Sequence, residues 1–353
     1  MSYSTSLRAK ITGAAYLVNS HRKSRLLACA TRNRPLILRR MPTPIKPDSK
    51  ATISDPSEKA VHYRDRQSRR LVAEQAPGVG VVRWLYGTAL GRQCLRALAH
   101  YPLASTLCGW WQKRSFTRRN ICDFIQRYGV DMSEAERPTN SYGNFNDFFT
   151  RTLKGDARPF CSDPHALCCP ADGKVLVYDQ LEIDAVLPIK GHRVPIAALV
   201  ACDETAARYA QGSALVVRLA PYDYHRYHFF DGGSAGPAHI VGDRYHSVNP
   251  IALAHNPTIF TLNKRAITTI DSPTFGAVSC IEVGALNVSS IVQTYAPGPV
   301  QRGQEKGFFQ FGGSTLVLLF PADTVTFDDD LLADSAAGME VHVRAGERVG
   351  LRA

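Results

Sequence analysis

The 353-residue sequence has no run of eighteen apolar residues, so it contains no segment with the composition of a membrane-spanning helix. Charged residues make up only 21%, and the 26 glycines and 21 prolines fall without period. Disordered, collagen-like and coiled-coil chains are thereby excluded. The first forty residues lack any acid and carry nine Lys or Arg, from Arg8 to Arg40. The net charge of +11 therefore sits mostly in that segment, and residues 41–353 balance 33 basic against 31 acidic side chains. A body so close to neutral argues against a nucleic-acid-binding protein. Nine cysteines, an odd number without regular spacing, do not read as a disulfide framework, and reduced, mostly buried thiols are expected. His165 stands near the pair Cys168–Cys169, but no second ligand pair is close enough in sequence to complete a tetrahedral site, so no metal is assigned.

What is present is enough for a core: 44% hydrophobic residues at this length fill one large or two modest domains. Segment 1–40 has three readings: an organelle transit peptide, a disordered basic tail, or sequence upstream of a start at Met41. A secretory signal is disfavoured, because the apolar stretch Ile11–Val18 is short and basic residues follow it. Residues 42–60, rich in Pro, Ser and charge, read as a linker. Val79–Trp111 is apolar and aromatic, with Trp84, Tyr86, Trp110 and Trp111, and is followed by Lys113, Arg114, Arg118 and Arg119. That pattern fits either a pair of core helices or helices lying in a membrane interface, rings at headgroup level and cations on anionic lipid.

Asn120 is placed to cap a helix whose apolar positions Ile121, Phe124, Ile125 and Tyr128 follow the i, i+3, i+4, i+7 rule, with Gly129 ending it. Ser133-x-x-Glu136 matches a capping box for a further short turn. From about residue 170 the period changes to short β-branched runs: Lys174–Tyr178, Ala214–Leu219, Ala277–Val283, Val288–Val292, Thr315–Phe320 and Val341–Val343. The fold class is α+β, a helical N-terminal part followed by a β-rich body. Three domains are expected: a basic extension and linker (1–60), a helical region (61–160) and a β-rich domain (161–353).

Three motifs carry candidate chemistry. Leu219–Gly233 gathers Asp223, His225, Arg226 and His228 among aromatic residues just after a strand. Histidine is the side chain best suited to moving protons near neutrality. In an extended strand His225 and His228 point to opposite faces; a turn is needed to bring them together. Phe309–Phe320 places Gly312-Gly313 before Ser314-Thr315 at the mouth of an apolar strand, where a hydroxyl lies next to an accessible carbonyl. It is not a hydrolase elbow, since G-x-S-x-G requires glycine where Leu316 stands. Cys169-Pro-Ala-Asp-Gly-Lys-Val175 supplies Asp172, a carboxylate able to orient a histidine if the fold brings the two together.

Taken with Val61–Arg66, Phe145–Arg151, Arg158-Pro159, Pro170–Gly173, Ala220–Arg226 with His228, Tyr245–Pro250, Asn263–Arg265, Phe275-Gly276, Val283–Ala285 and Phe311–Thr315, the sequence resembles the phosphatidylserine decarboxylase family. Order and spacing carry the resemblance, which runs from Val61 to the C-terminus. Phe230 stands where many members have proline, and Ser289 where glycine is common; neither holds a proposed chemical role.

The resemblance implies a self-processing enzyme. His228, oriented by Asp172, would take the Ser314 proton so that the hydroxyl attacks the Gly313 carbonyl; elimination and hydrolysis then leave a pyruvoyl group from Ser314. Chains 1–313 and 314–353 would remain associated. The pyruvoyl ketone would form an imine with the amine of phosphatidylserine and accept electrons during its decarboxylation to phosphatidylethanolamine, with His228 reprotonating the product and His225 positioning the headgroup. The resemblance makes region 61–160 membrane-associating and 161–353 the catalytic domain; expected partners are the phospholipid and a membrane surface, with a homodimer left open. The expected location is peripheral, on a bacterial cytoplasmic membrane, or on an organelle membrane if 1–40 is a transit peptide. The alternatives are a pyruvoyl decarboxylase of free amino acids, a non-catalytic lipid-binding protein and, last, a serine hydrolase.

Overall fold

β-branched and aliphatic residues that are apolar on both faces of a strand fit only inside a sheet covered on both sides. The run Ser314–Phe320 is such a strand, fully buried along its length. The computed structural model describes residues 62–74, single positions between 80 and 94, 113–181, 186–189, 192–242, 259–284, 291–310 and 314–353. Among these, an eleven-stranded sheet has Ser314–Phe320 near its middle, hydrogen-bonded to Gly276–Val283 on one side and Ser213–Leu219 on the other. Beyond Ser213–Leu219 come Gly173–Tyr178, Glu340–Val343, His62–Asp65 and Leu71–Ala73; beyond Gly276–Val283 come Arg265–Ser272, Gly233–Ala235 and Gly298–Val300. His239–Val241 also pairs with Arg265–Ser272. Every pairing in this sheet is antiparallel except that of His62–Asp65 with Glu340–Val343.

A second, three-stranded sheet orders Ile291–Gln293, Glu305–Phe309 and Arg226–His228; a third joins Val325–Phe327, Arg348–Arg352 and Ala166–Cys168. One core built on the main sheet takes in Phe229, Phe230, Phe275, Phe309 and Phe320. A smaller aromatic core lies under two helices. Asn120–Tyr128 buries Ile121 and packs Phe124 and Ile125 against Tyr142, Phe145, Phe148 and Phe149. The second helix, Phe145–Phe149, is capped by Asn144, whose side chain accepts the Asp147 N–H at 2.9 Å.

The body is therefore α+β with the β-rich C-terminal part expected. Five of the six expected strands are present, each beginning one residue earlier than the β-branched run; for the sixth, Val288–Val292, residues 288–290 lie outside the described residues and Ile291–Gln293 is a strand. Gly129 ends its helix as expected, in the left-handed conformation at φ 63°. Asn120 is not a cap: the helix runs on from a 3-10 turn, Ser115–Arg119, so its first turn needs no side-chain acceptor. No helical turn starts at Ser133 either. Asp131 accepts the Ser133 N–H, Glu136 donates its N–H to the Thr152 carbonyl, and Ala135 bridges Leu153.

Within the expected helical region 61–160, His62–Asp65 and Leu71–Ala73 are instead strands of the main sheet, while Ser115–Arg119, Asn120–Tyr128 and Phe145–Phe149 are helical; nothing among the described residues shows membrane association. Most of the apolar stretch 79–111 lies outside them. Within it Trp84 is exposed, and Leu85 is buried in the main core. No helix among the described residues is long and apolar enough to cross a membrane. Of seven described cysteines three are buried and two exposed, fewer buried than expected, and all seven are free thiols.

Candidate active site

Antiparallel register brings three sequence-distant segments to one end of the main sheet. Ser314, the first residue of its strand, pairs with Leu219, the last of the neighbouring strand. On the far side of Ser213–Leu219, Lys174 pairs with Arg218, so Asp172 leaves the sheet at the same end. Two strand spacings, roughly 10 Å, separate the Asp172 and Ser314 backbones laterally. Between them the chain turns through Ala220–Asp223, where Asp223 donates its N–H to the Ala220 carbonyl, and continues to His225 and His228.

Buried ion pairs hold this turn. The Lys174 ammonium meets both Asp223 oxygens at 2.9 and 3.0 Å, and one of them also accepts the Ala220 N–H at 2.7 Å. Burial alone would raise the Asp223 pKa, but Lys174 beside it outweighs that and holds it below the ordinary value. Arg218 spans Glu340 and Glu74 and so ties residues near both ends of the folded body to the centre of the sheet.

His228 lies in the second sheet opposite Glu305, and its N–H donates to the Pro170 carbonyl at 2.8 Å, two residues before Asp172. Its ring stands against Phe160 and Tyr224. Nδ1 is 3.1 Å from the Gly303 carbonyl, so it carries the proton and leaves the Nε2 lone pair free. Nε2 is buried without a hydrogen-bond partner. Burial pushes the His228 pKa below its ordinary value, against the opposing pull of the Gly303 carbonyl and the carboxylates of Glu305 and Asp172. The ring is thus biased toward its neutral, proton-accepting form.

Asp172 contacts a different group from the one its expected role needs. Its carboxylate accepts Nε and Nη2 of Arg158 at 2.7–3.0 Å and the Ala345 N–H at 2.8 Å, and none of its hydrogen bonds goes to His228. Arg158 also reaches Glu134. Asp172 acts on His228 through its charge, while Gly303 fixes the ring. His225 is buried, faces the Asp223 carbonyl through Nδ1, and packs on Phe149 with ring centres 3.9 Å apart. The two histidines therefore have separate surroundings. Gly313 lies outside the described residues.

A cleft of about 400 Å³, the size of a polar headgroup, opens at His228 between Lys154, Arg158, Phe160, Tyr224 and Arg302. Arg302 is held by Asp231 and by the backbone carbonyls of Cys161, Asp163 and Pro164. Sequence reading assigned no role to Gly303, Arg302 or Lys306; only the strand pairing of Glu305–Phe309 with Arg226–His228 reveals them, and nothing local in the sequence announces that pairing. Lys306 Nζ lies 2.5 Å from Glu282, both fully buried, and also reaches Thr268 and Gln293. This pair fastens the strand next to Ser314–Phe320 to the strand next to His228. Gly307 lets the second sheet close up: a Cβ there would sit 2.2 Å from the Val292 carbonyl oxygen.

Ser314 is fully buried and its Oγ has no hydrogen-bond partner. The hydroxyl thus does no structural bonding at the head of a central strand. Cys168 and Cys169, by contrast, are inert: burial pushes the Cys168 thiol up to about 11 and the Cys169 thiol higher still.

The family model described as phosphatidylserine decarboxylase matches residues 145–351, more than half of the chain, including Arg158, Asp172, Lys174, Asp223, His225, His228 and Ser314. A phosphatidylserine decarboxylase proenzyme of Desulfitobacterium hafniense is 38% identical over 293 residues, covering 83% of this chain and 98% of the relative. One of Clostridium botulinum is 38% identical over 293 residues, covering 83% and 99%. One of Chlamydia trachomatis is 40% identical over 291 residues, covering 82% and 97%. The chain belongs to the phosphatidylserine decarboxylase family.

Proposed function

We propose that this chain, a decarboxylase by family, converts phosphatidylserine to phosphatidylethanolamine in phospholipid biosynthesis after cutting itself between Gly313 and Ser314. The observation that carries the reading is a pair of buried, partnerless groups: the His228 Nε2 lone pair and the Ser314 hydroxyl. An unpaired buried polar atom is costly, and its persistence at a site points to chemistry.

In the first reaction His228 removes the Ser314 proton, and the Ser314 oxygen displaces nitrogen from the Gly313 carbonyl, giving an ester. Elimination frees the Gly313 carboxylate, and hydrolysis releases ammonia and leaves a ketone on residue 314. The resulting pyruvoyl group supplies a sink for the electron pair left when carbon dioxide departs. In each turnover His228 takes a proton from solvent and delivers it to the product carbon, and its lowered pKa makes that protonated form a ready donor. The cleft beside His228 holds the headgroup, and His225, buried outside the lining of that cleft, acts on its position only from behind. Chains 1–313 and 314–353 stay together because Ser314–Phe320 is bonded on both edges and buried on both faces.

Membrane contact is peripheral. Phe116 is 42% exposed among the exposed cations Lys113, Arg114, Arg118 and Arg119, an apolar ring flanked by positive charge that suits an anionic lipid surface. The test is carbon dioxide release from phosphatidylserine vesicles set against release from free amino acids. Release from the vesicles alone is expected; release only from a free amino acid would overturn the substrate assignment.

A further inference from the structure

Five Lys or Arg side chains are buried among the described residues, and four of them are fully accommodated. Lys174, Arg218 and Lys306 face carboxylates, and Arg265 donates to the carbonyls of Ala198, Leu199, Thr261 and Asn263. Arg151 is the exception. It is 6% exposed, its Nη2 reaches the Tyr222 carbonyl at a long 3.3 Å, and its Nε and Nη1 meet no acceptor. Its guanidinium carbon lies 5.2 Å from the Phe148 ring centre. A guanidinium stays charged at any working pH, so a buried one without an anion is a standing cost to the fold. Burial indeed opposes the charged form here, and the fields of Asp172 and Asp223 only partly offset it.

Its surroundings are those of the active site. Tyr222 belongs to the turn between the partner of Ser314 and the two histidines. Phe149, two residues before Arg151, packs on His225, and Arg226 donates twice to the Thr150 carbonyl. Lys154, three residues after it, lines the cleft at His228. Burial does not remove Arg151 from the substrate's reach, because His228 Nε2 and Ser314 Oγ are equally covered in the uncut chain.

We propose that Arg151 is the anion receptor of the active site, its unmet N–H groups taking an oxyanion of the substrate headgroup. The inference rests on the decarboxylase reading and deepens it. The oxyanion is either the carboxylate that will leave or the phosphodiester, and the guanidinium geometry suits both.

The test uses the self-cleaved enzyme carrying Arg151→Met or Arg151→Lys. With phosphatidylserine in mixed micelles, Arg151→Met raises KM by at least about tenfold and leaves kcat within about threefold, as expected for losing a charge-assisted hydrogen bond. Arg151→Lys recovers part of the loss. Inhibition by phosphatidylethanolamine, which has the phosphate but not the carboxylate, identifies the oxyanion. Weakened inhibition in Arg151→Met points to the phosphate, unchanged inhibition to the carboxylate, and both uphold the receptor role. Normal cleavage with unchanged KM, or a loss confined to kcat, overturns the assignment while leaving the decarboxylase reading intact. Failure of both variants to cut themselves also overturns it, since Arg151 would then serve folding. Absence of decarboxylation by the wild-type enzyme would instead sink the underlying reading.

Discussion

Lys306→Met would expose how strongly one buried ion pair holds the site together. Lys306 and Glu282 are 1% and 0% exposed at their side chains, with Nζ and Oε1 2.5 Å apart. Burial works against the Lys306 charge, but Glu282 outweighs it and holds the lysine pKa above its ordinary value. Methionine fills a similar volume and leaves Glu282 with only Gln293 and the Cys280 thiol as neutral donors. Removing one partner of a buried pair costs about 3–5 kcal/mol, whereas replacing both by apolar residues is often neutral or stabilising by about 1–4 kcal/mol. The single variant is therefore expected to lose about 3–5 kcal/mol, and Lys306→Met with Glu282→Leu to recover most of it. The assay is urea unfolding in a Ser314→Ala background, so that every molecule is a single chain. With a slope of about 3 kcal/mol per molar, the midpoint falls by about 1–1.7 M in the single variant. A single variant that loses less than about 1 kcal/mol, or a double variant no better than the single, would refute the reasoning. The pair links the strands beside Ser314 and His228, so self-cleavage should slow in the single variant as well.

Three further outcomes follow from the site. His228 has a folded pKa below its ordinary 6.5, so the native state binds fewer protons there than the unfolded chain. Its contribution to stability is full above that value and falls as pH drops below it, and the acid limb of the self-cleavage rate lies below 6.5; a limb at or above 6.5 would contradict the depressed base. Asp172→Asn removes the field on His228 and sets an amide against Arg158, so cleavage followed by gel should slow by roughly tenfold or more; normal processing would remove Asp172 from the proposed machinery. Neutralising Lys113, Arg114, Arg118 and Arg119 should weaken sedimentation with anionic liposomes, most strongly at low salt; unchanged binding would move the lipid contact elsewhere.

The central strands were legible because Ser213–Leu219, Gly276–Val283 and Ser314–Phe320 concentrate β-branched and aliphatic residues that leave no other local solution. His62–Asp65 was not. Its residues are polar, and it becomes a strand only by pairing with Glu340–Val343 and by the bonds of Arg64 and Arg66 to Asp334, Asp328 and Asp330. Three-residue strands such as Arg226–His228 are too short to show a period. The motif residues Asp172, His228 and Ser314 were readable from sequence, and the fold brings their segments to one end of the sheet. What fixes them was not readable, because Gly303, Arg158 and Lys306 act through partners 14 to 75 residues away.

The most direct measurement is the intact mass of the purified protein. The account predicts two chains, the shorter spanning 314–353 and beginning with a pyruvoyl group in place of serine, and a single uncut chain when Ser314 is alanine. Wild-type protein that stays whole while releasing carbon dioxide from phosphatidylserine would contradict it.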